Sequence, residues 1–137
     1  EMPFEFEGLP MRRHFWIGAP IALAVALPVA ARAEVIDITW DAAGRFERQL
    51  TVAPGKFAEV CGKLNPPVDV QWQFTANVPL NFNIHYHEGK AVKFPAKQDG
   101  VAEGSGKLGV GIQQDYCWMW TNKSGGEVNM SFSLQKR

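Results

Sequence analysis

The sequence predicts an all-β domain in residues 34–137, an antiparallel β-sandwich of jelly-roll type with about eight strands. Apolar and polar residues alternate with a period of two, for example in Val128–Leu134, which is typical of strands with one buried and one solvated face. Gly, Pro and Asn turn signals recur at intervals of roughly 8 to 12 residues, as they do in sandwiches. No window shows a helical stripe of apolar residues, so the pattern indicates strands throughout.

The strands follow from the alternation and from the turn signals that interrupt it. One such signal, Val78-Pro79, separates two of them, and residues 98–111, which hold five glycines, fit either a hairpin or a mobile loop. The predicted strands are 34–40, 46–53, 56–63, 68–75, 80–87, 90–96, 107–121 (either continuous or broken) and 127–135. Aromatic side chains in these strands are expected to fill the space between the sheets: Trp40, Phe57, Trp72, Phe74, Phe82, Tyr86, Phe94, Tyr116, Trp118, Trp120 and Phe132.

Residues 1–33 are expected to lie outside the fold. Met11–Arg13 form a short positive segment, an apolar run covers 15–31, and Ala31-Arg32-Ala33 supplies small residues before Glu34. This is the layout of a secretory signal peptide over residues 11–33, whereas a membrane anchor needs about 20 unbroken apolar residues. We interpret residues 1–10 as an upstream extension. The sequence therefore predicts a periplasmic or secreted protein with no membrane span in its mature chain.

The charge of the predicted domain does not indicate a polyanionic partner. Residues 34–137 carry 11 Lys and Arg and 11 Asp and Glu, so their net charge is zero. Nucleic-acid binding draws most of its affinity from phosphate neutralisation, and anionic membrane surfaces attract polybasic segments. We therefore expect no nucleic-acid partner, and a protein or small-molecule ligand of unknown identity.

The two cysteines, Cys61 and Cys117, both lie in the predicted exported segment. In an oxidising compartment two cysteines most often form one disulfide. On the chain-entropy model, closing a loop of this length stabilises the fold by roughly 4 kcal/mol. We expect a Cys61–Cys117 disulfide.

Four segments carry a resemblance to a known family. Trp72–Phe74, Leu80–Ile84, Tyr116–Asn122 and Val128–Leu134 together resemble the GOLD domain, a eukaryotic β-sandwich of cargo receptors and lipid-transfer proteins. The most specific of these segments is Tyr-Cys-Trp-Met-Trp-Thr-Asn at 116–122. The resemblance implies a sandwich that serves non-catalytic recognition.

The cysteine pattern departs from that family by two residues. Luminal members link an early strand to the late aromatic strand, and Met119 stands where the late cysteine of the family falls. Here the cysteine is Cys117. A shift of two keeps the side chain on the same strand face, so the resemblance remains compatible with the bridge.

A polar ladder lies on one face of the strand 80–87. Asn81, Asn83, His85 and His87 alternate with the apolar residues, and we expect them to form a sided, hydrogen-bonding surface for docking. The alternative is a copper or zinc site that uses His85 and His87 with Cys117 or Met119, provided that the two strands are neighbours. A disulfide and a site that uses the Cys117 thiolate exclude each other.

Catalytic templates are not matched. The serines, such as Ser105 and Ser131, lie in turns or on polar strand faces without a neighbouring base motif. The carboxylates that we considered, such as Asp69 and Glu103, fit solubilising positions better than an acid–base pair. We expect a binding module rather than an enzyme, with no cofactor outside the metal alternative.

Overall fold

The computed structural model describes Gly18, residues 23–25 and residues 34–137. The predicted extension 1–10 lies outside this part of the chain, as does the predicted signal peptide 11–33 apart from Gly18 and 23–25. Seven strands are present in residues 34–137: β1 Glu34–Asp37, β2 Arg45–Val52, β3 Phe57–Leu64, β4 Asp69–Glu88, β5 Ala91–Gly109, β6 Gln114–Thr121 and β7 Val128–Lys136. Among the described residues, no helix is long and apolar enough to span a membrane.

The strands form one hydrogen-bonded sheet in the order β1-β3-β6-β4-β7-β2, and β5 also pairs with β4. Every pair is antiparallel except β1–β3, which is parallel. The predicted all-β, largely antiparallel architecture is confirmed, with seven strands in place of about eight and one parallel edge pair.

Strand β4 belongs to both layers of the folded-over sheet. Its first part, Val70–Ala76, pairs with β7, and its second part, Asn81–His85, pairs with β6. The predicted break at Val78-Pro79 was wrong, because the chain stays extended through a register shift between Thr75 and Leu80. Proline is tolerated at such a bulge, since its missing N–H is not needed in the ladder there.

The glycine-rich segment is largely part of strand β5, contrary to the prediction. Residues 98–111 were expected to be a hairpin or a loop, but most of them belong to the 19-residue β5 that runs beside β4. Gly106 pairs with Trp72, and Gly104 pairs with Phe74. The aromatic rings lie over these glycines, so the glycines supply space for side chains of the neighbouring strand rather than a turn.

The core lies between the two layers. Trp120 of β6 stacks on Phe132 of β7, with ring centroids 4.9 Å apart, and Phe82 packs 4.7 Å from Phe74. Most of the predicted aromatic core is buried, with Trp40, Phe57 and Tyr86 partly buried. Phe94 is the exception, because its side chain is 51% exposed.

The outward position of Phe94 has a local cause. Ile84 pairs with Ala96 and Tyr86 with Lys93, so β5 has one residue more than β4 in this interval. The extra residue breaks the alternation on which the core assignment depended. As a result, Phe94 lies on the outer face.

We expect Gly106→Ala to destabilise the fold by about 1–3 kcal/mol, because an added Cβ at this position would lie 2.7 Å from Cζ2 of Trp72. Gly109→Ala on the same strand is the matched control, since its Cβ would meet nothing closer than 3.6 Å. Urea unfolding of both variants measures the difference. Equal midpoints for the two variants would contradict the role of Gly106.

Candidate functional site

The candidate site lies on the outer face of the layer formed by β3, β6 and the second part of β4. Cys61 and Cys117 are directly opposite each other on β3 and β6 and form a disulfide, with an S–S distance of 2.15 Å. The expected cross-link is therefore present. Cys117 is in turn opposite His85 on β4, so the disulfide and the histidine lie side by side.

His85 is buried in a polar network, although it faces outward. Its Nε2 is 3.1 Å from Oε1 of Glu59, and its Nδ1 is 2.8 Å from the side-chain amide of Asn83. His85 as a residue is 6% exposed, and the rings of His87 and Phe94 lie next to its ring, with centroids 5.4 and 6.1 Å away. The network holds the imidazole in one orientation beside the disulfide.

Burial lowers the pKa of His85 below its usual value of 6.5, because the charged ring is poorly solvated here. The Glu59 carboxylate acts in the opposite direction and His87 in the same direction, and the loss of solvation dominates. The Asn83 atom that faces Nδ1 is the side-chain oxygen, which only accepts, so the ring donates its Nδ1–H to Asn83.

The structure places the predicted polar ladder on this outer face. The Asn81 side-chain oxygen accepts a hydrogen bond from the backbone N–H of Gly100. The Asn83 side-chain oxygen is hydrogen-bonded to Nδ1 of His85. Of the four ladder residues, only His87 is largely exposed. The role of the ladder as a docking surface stays a prediction.

The strand order and the disulfide also bear on the copper or zinc site that the sequence offered as an alternative. β4 and β6 are neighbours, as that hypothesis required, with Met119 opposite Asn83 and Cys117 opposite His85. However, the Cys117 sulfur is bonded to Cys61, so it offers no thiolate in the disulfide-bonded protein. Ligand atoms of Glu59, His85 and Cys117 lie within 4.8 Å of one another, a group that does not include His87.

Glu59 was missed in the sequence. A signal for it exists, because Glu59 is two residues before Cys61 and therefore shares its strand face. Once Cys61 is paired with Cys117, the period of two places the carboxylate beside the bridge. Its proximity to His85 depends on the strand order, which the sequence does not contain.

A second feature is the tip of the β4–β5 hairpin. The pairing of β4 with β6 ends at His85, so beyond this point β4 has only β5 as a described neighbour. The tip surface consists of Lys90, Val92, Lys93, Phe94 and Lys97, all of them exposed. The Lys97 ammonium lies 5.6 Å from the Phe94 ring centroid. Apolar and cationic groups are thus presented together.

An open groove of about 1150 Å³ lies on the opposite outer face. Its lining includes Gln73, Thr75, Ser131 and Ser133, which come from β4 and β7. Thr75 and Ser131 hydrogen-bond to each other across the strands, 3.1 Å apart. Ser131 is therefore part of a polar surface ladder.

Comparisons with known proteins show the class of fold. No protein-family profile matches the chain, and no curated protein matches it in sequence. Among solved structures it is similar to PliG from Aeromonas hydrophila, a periplasmic inhibitor of g-type lysozyme, with a TM-score of 0.63 and 9% identity over 77% of this chain and 98% of that one.

Two further structures are similar at 8% identity and a TM-score of 0.54, each over 77% of this chain. They are PliG from Salmonella Typhimurium, covered over 99% of its length, and the pre-peptidase C-terminal domain of a Bacillus anthracis collagenase, covered over 96%. The likenesses support the sandwich architecture that the GOLD resemblance implied. Membership of the GOLD family itself stays a prediction.

We expect the folded protein to lose stability as the pH falls below about 6.5, with His85 as one cause. Because its folded-state pKa is lowered, the unfolded chain binds this proton at a higher pH than the folded chain does. The stabilisation is therefore present above the unfolded-state pKa and is lost as the pH falls through the folded-state pKa. Urea unfolding at several pH values measures the slope.

His85→Gln should make the free energy of unfolding less dependent on pH. His87→Gln, which replaces an exposed ring on the same strand, is the matched control. An unchanged pH dependence in His85→Gln would contradict the assignment.

Proposed function

We propose that this chain is an exported, non-catalytic binding module that docks on a protein partner through the tip surface of the β4–β5 hairpin. The observation that carries the proposal is Phe94, an aromatic side chain 51% exposed on a hairpin that extends beyond β6. Aromatic residues flanked by cations are typical anchors of protein interfaces, because they combine a large apolar area with few rotatable bonds.

A partner is expected to contact the side chains of this tip rather than to add a strand to the open edge of β5. β5 pairs with β4 alone among the described strands, so its other edge is open. Pro95, the neighbouring lysines and the register shifts interrupt that edge, which are the features that prevent edge-to-edge pairing. A partner is therefore expected to receive the Phe94 ring in a pocket.

The charge of the tip indicates an acidic partner. Lys90, Lys93 and Lys97 are exposed within eight positions, and Glu88 is the acidic residue at the turn. Opposite charge on the partner steers association and fixes orientation. A cleft with several carboxylates is complementary to this surface.

The structural neighbours suggest which acidic cleft to test first. Two of them are inhibitors of g-type lysozyme. Glycoside hydrolases in general cleave with a pair of Asp or Glu side chains in an open cleft. We therefore propose a lysozyme-class glycoside hydrolase as the partner, with the hairpin tip at the mouth of its cleft. The predicted signal peptide 11–33 supports a place outside the cytoplasm, in the periplasm or the medium.

We expect the protein to inhibit a g-type lysozyme in a cell-wall hydrolysis assay, and Phe94→Ser to weaken inhibition roughly 30-fold, the loss of an anchor worth about 2 kcal/mol. Val35→Ser is the matched control, because Val35 is also exposed but lies on β1. The melting temperatures of the variants show whether the fold is retained.

Two results would overturn parts of this proposal. No inhibition and no calorimetric binding by the unsubstituted protein would reject the lysozyme-class partner. Inhibition that is equally strong in Phe94→Ser would reject the hairpin tip as the docking surface.

A further inference from the structure

We propose that reduction of the Cys61–Cys117 disulfide converts the outer face of β3, β4 and β6 into a Zn²⁺ site formed by Cys61, Cys117, His85 and Glu59. This set differs from the one expected from the sequence, because it uses Glu59 and Cys61 in place of His87 and Met119. It uses other side chains than the hairpin-tip proposal, although Phe94 of the tip lies beside the ring of His85.

The distances in the disulfide-bonded protein approach those of a tetrahedral site. Zinc binds sulfur at about 2.3 Å and nitrogen or oxygen at about 2.0–2.2 Å, so neighbouring ligand atoms lie roughly 3.4–3.8 Å apart. Oε1 of Glu59 is 3.1 Å from Nε2 of His85 and 3.4 Å from Sγ of Cys61. Cys61 Sγ lies close to Glu59 but outside the group of Glu59, His85 and Cys117 atoms that are within 4.8 Å of one another. After the disulfide is broken, the two sulfurs must separate and Cys61 Sγ must approach His85.

His85 is oriented for this role. A histidine that binds metal through Nε2 carries its proton on Nδ1 and normally donates it to a neighbouring oxygen, which fixes the ring. The Asn83 side-chain oxygen is 2.8 Å from Nδ1. Asn83 is therefore a positioning residue for the site, and the ring is already held with Nε2 toward Glu59 and Cys117.

The switch between the two states is a thiol–disulfide exchange with an external dithiol. One dithiol thiolate attacks Sγ of Cys61, the less buried of the two residues, and Cys117 leaves as a thiolate beside His85. The second thiol of the reagent then displaces Cys61 and closes the reagent's own disulfide. Two electrons and two protons pass to the cysteines, and Zn²⁺ binding later displaces both protons to solvent.

Burial makes the site selective for the reduced state. Glu59 and His85 have side-chain exposures of 17% and 8%, so a cation there loses most of its water and needs thiolate charge in compensation. With the sulfurs joined, the cluster offers one carboxylate and one imidazole, which is too few ligands for a structural zinc site.

The experiment titrates the purified protein with Co²⁺ and then Zn²⁺, before and after reduction by a water-soluble phosphine that does not itself supply a thiol. The reduced protein should show thiolate-to-cobalt charge transfer and the intense visible bands of tetrahedral Co²⁺, both bleached by one equivalent of Zn²⁺. The disulfide-bonded protein should show neither.

Single variants of the reduced protein identify the ligands. Glu59→Gln and His85→Ala should each weaken Zn²⁺ binding by at least about 10-fold, and Asn83→Ala should weaken it by about 10- to 100-fold. His87→Ala is the control, expected within about twofold of the unsubstituted protein, because His87 is absent from the cluster. Circular dichroism reports whether each variant keeps its β-structure.

Three outcomes would overturn the proposal. One is a reduced protein that gives no charge-transfer band with Co²⁺. Another is a reduced chain that loses its β-sheet spectrum, since unfolded cysteines would then be the ligands. The third is binding that falls in His87→Ala but not in Glu59→Gln, which would instead support the set expected from the sequence.

Discussion

The hydrogen bonding of β4 is the constraint on which the rest of the structure depends. A single 20-residue strand pairs with β7 in one layer and with β6 in the other, while β5 pairs with both parts of it. The register shift between Thr75 and Leu80 lets this strand pass from one layer to the other. The stacking of Trp120 on Phe132 and the contact of Phe82 with Phe74 both follow from that passage.

The same strand positions the residues of both proposed sites. Its second part carries His85 to the centre of the outer face, beside the cross-strand disulfide, and continues past the end of β6 to form the hairpin tip. The buried polar network and the exposed basic-aromatic tip therefore lie at successive positions along one hairpin. The register shift between Ile84 and Tyr86 turns Phe94 outward, onto the same face as His85.

Polar groups on an outer face are not automatically available for contact. Asn81 and Asn83 lie on the face that alternation assigns to solvent, yet Gly100 and His85 engage them. His85 is buried because neighbouring strands contribute bulky groups on the same side, among them Phe94. Alternation within one strand gives the face of a side chain, whereas its exposure depends on the strands beside it.

The sequence alone determined the all-β class, most of the aromatic core and the pairing of Cys61 with Cys117, because a period of two and a single pair of cysteines leave few alternatives. Only the tertiary structure decided that β4 is continuous, that the glycines of β5 lie beneath aromatic rings, and that Glu59 meets His85. These features depend on strand order and on register shifts. Both are set by contacts between residues far apart in the chain, which leave no periodic signal in the local sequence.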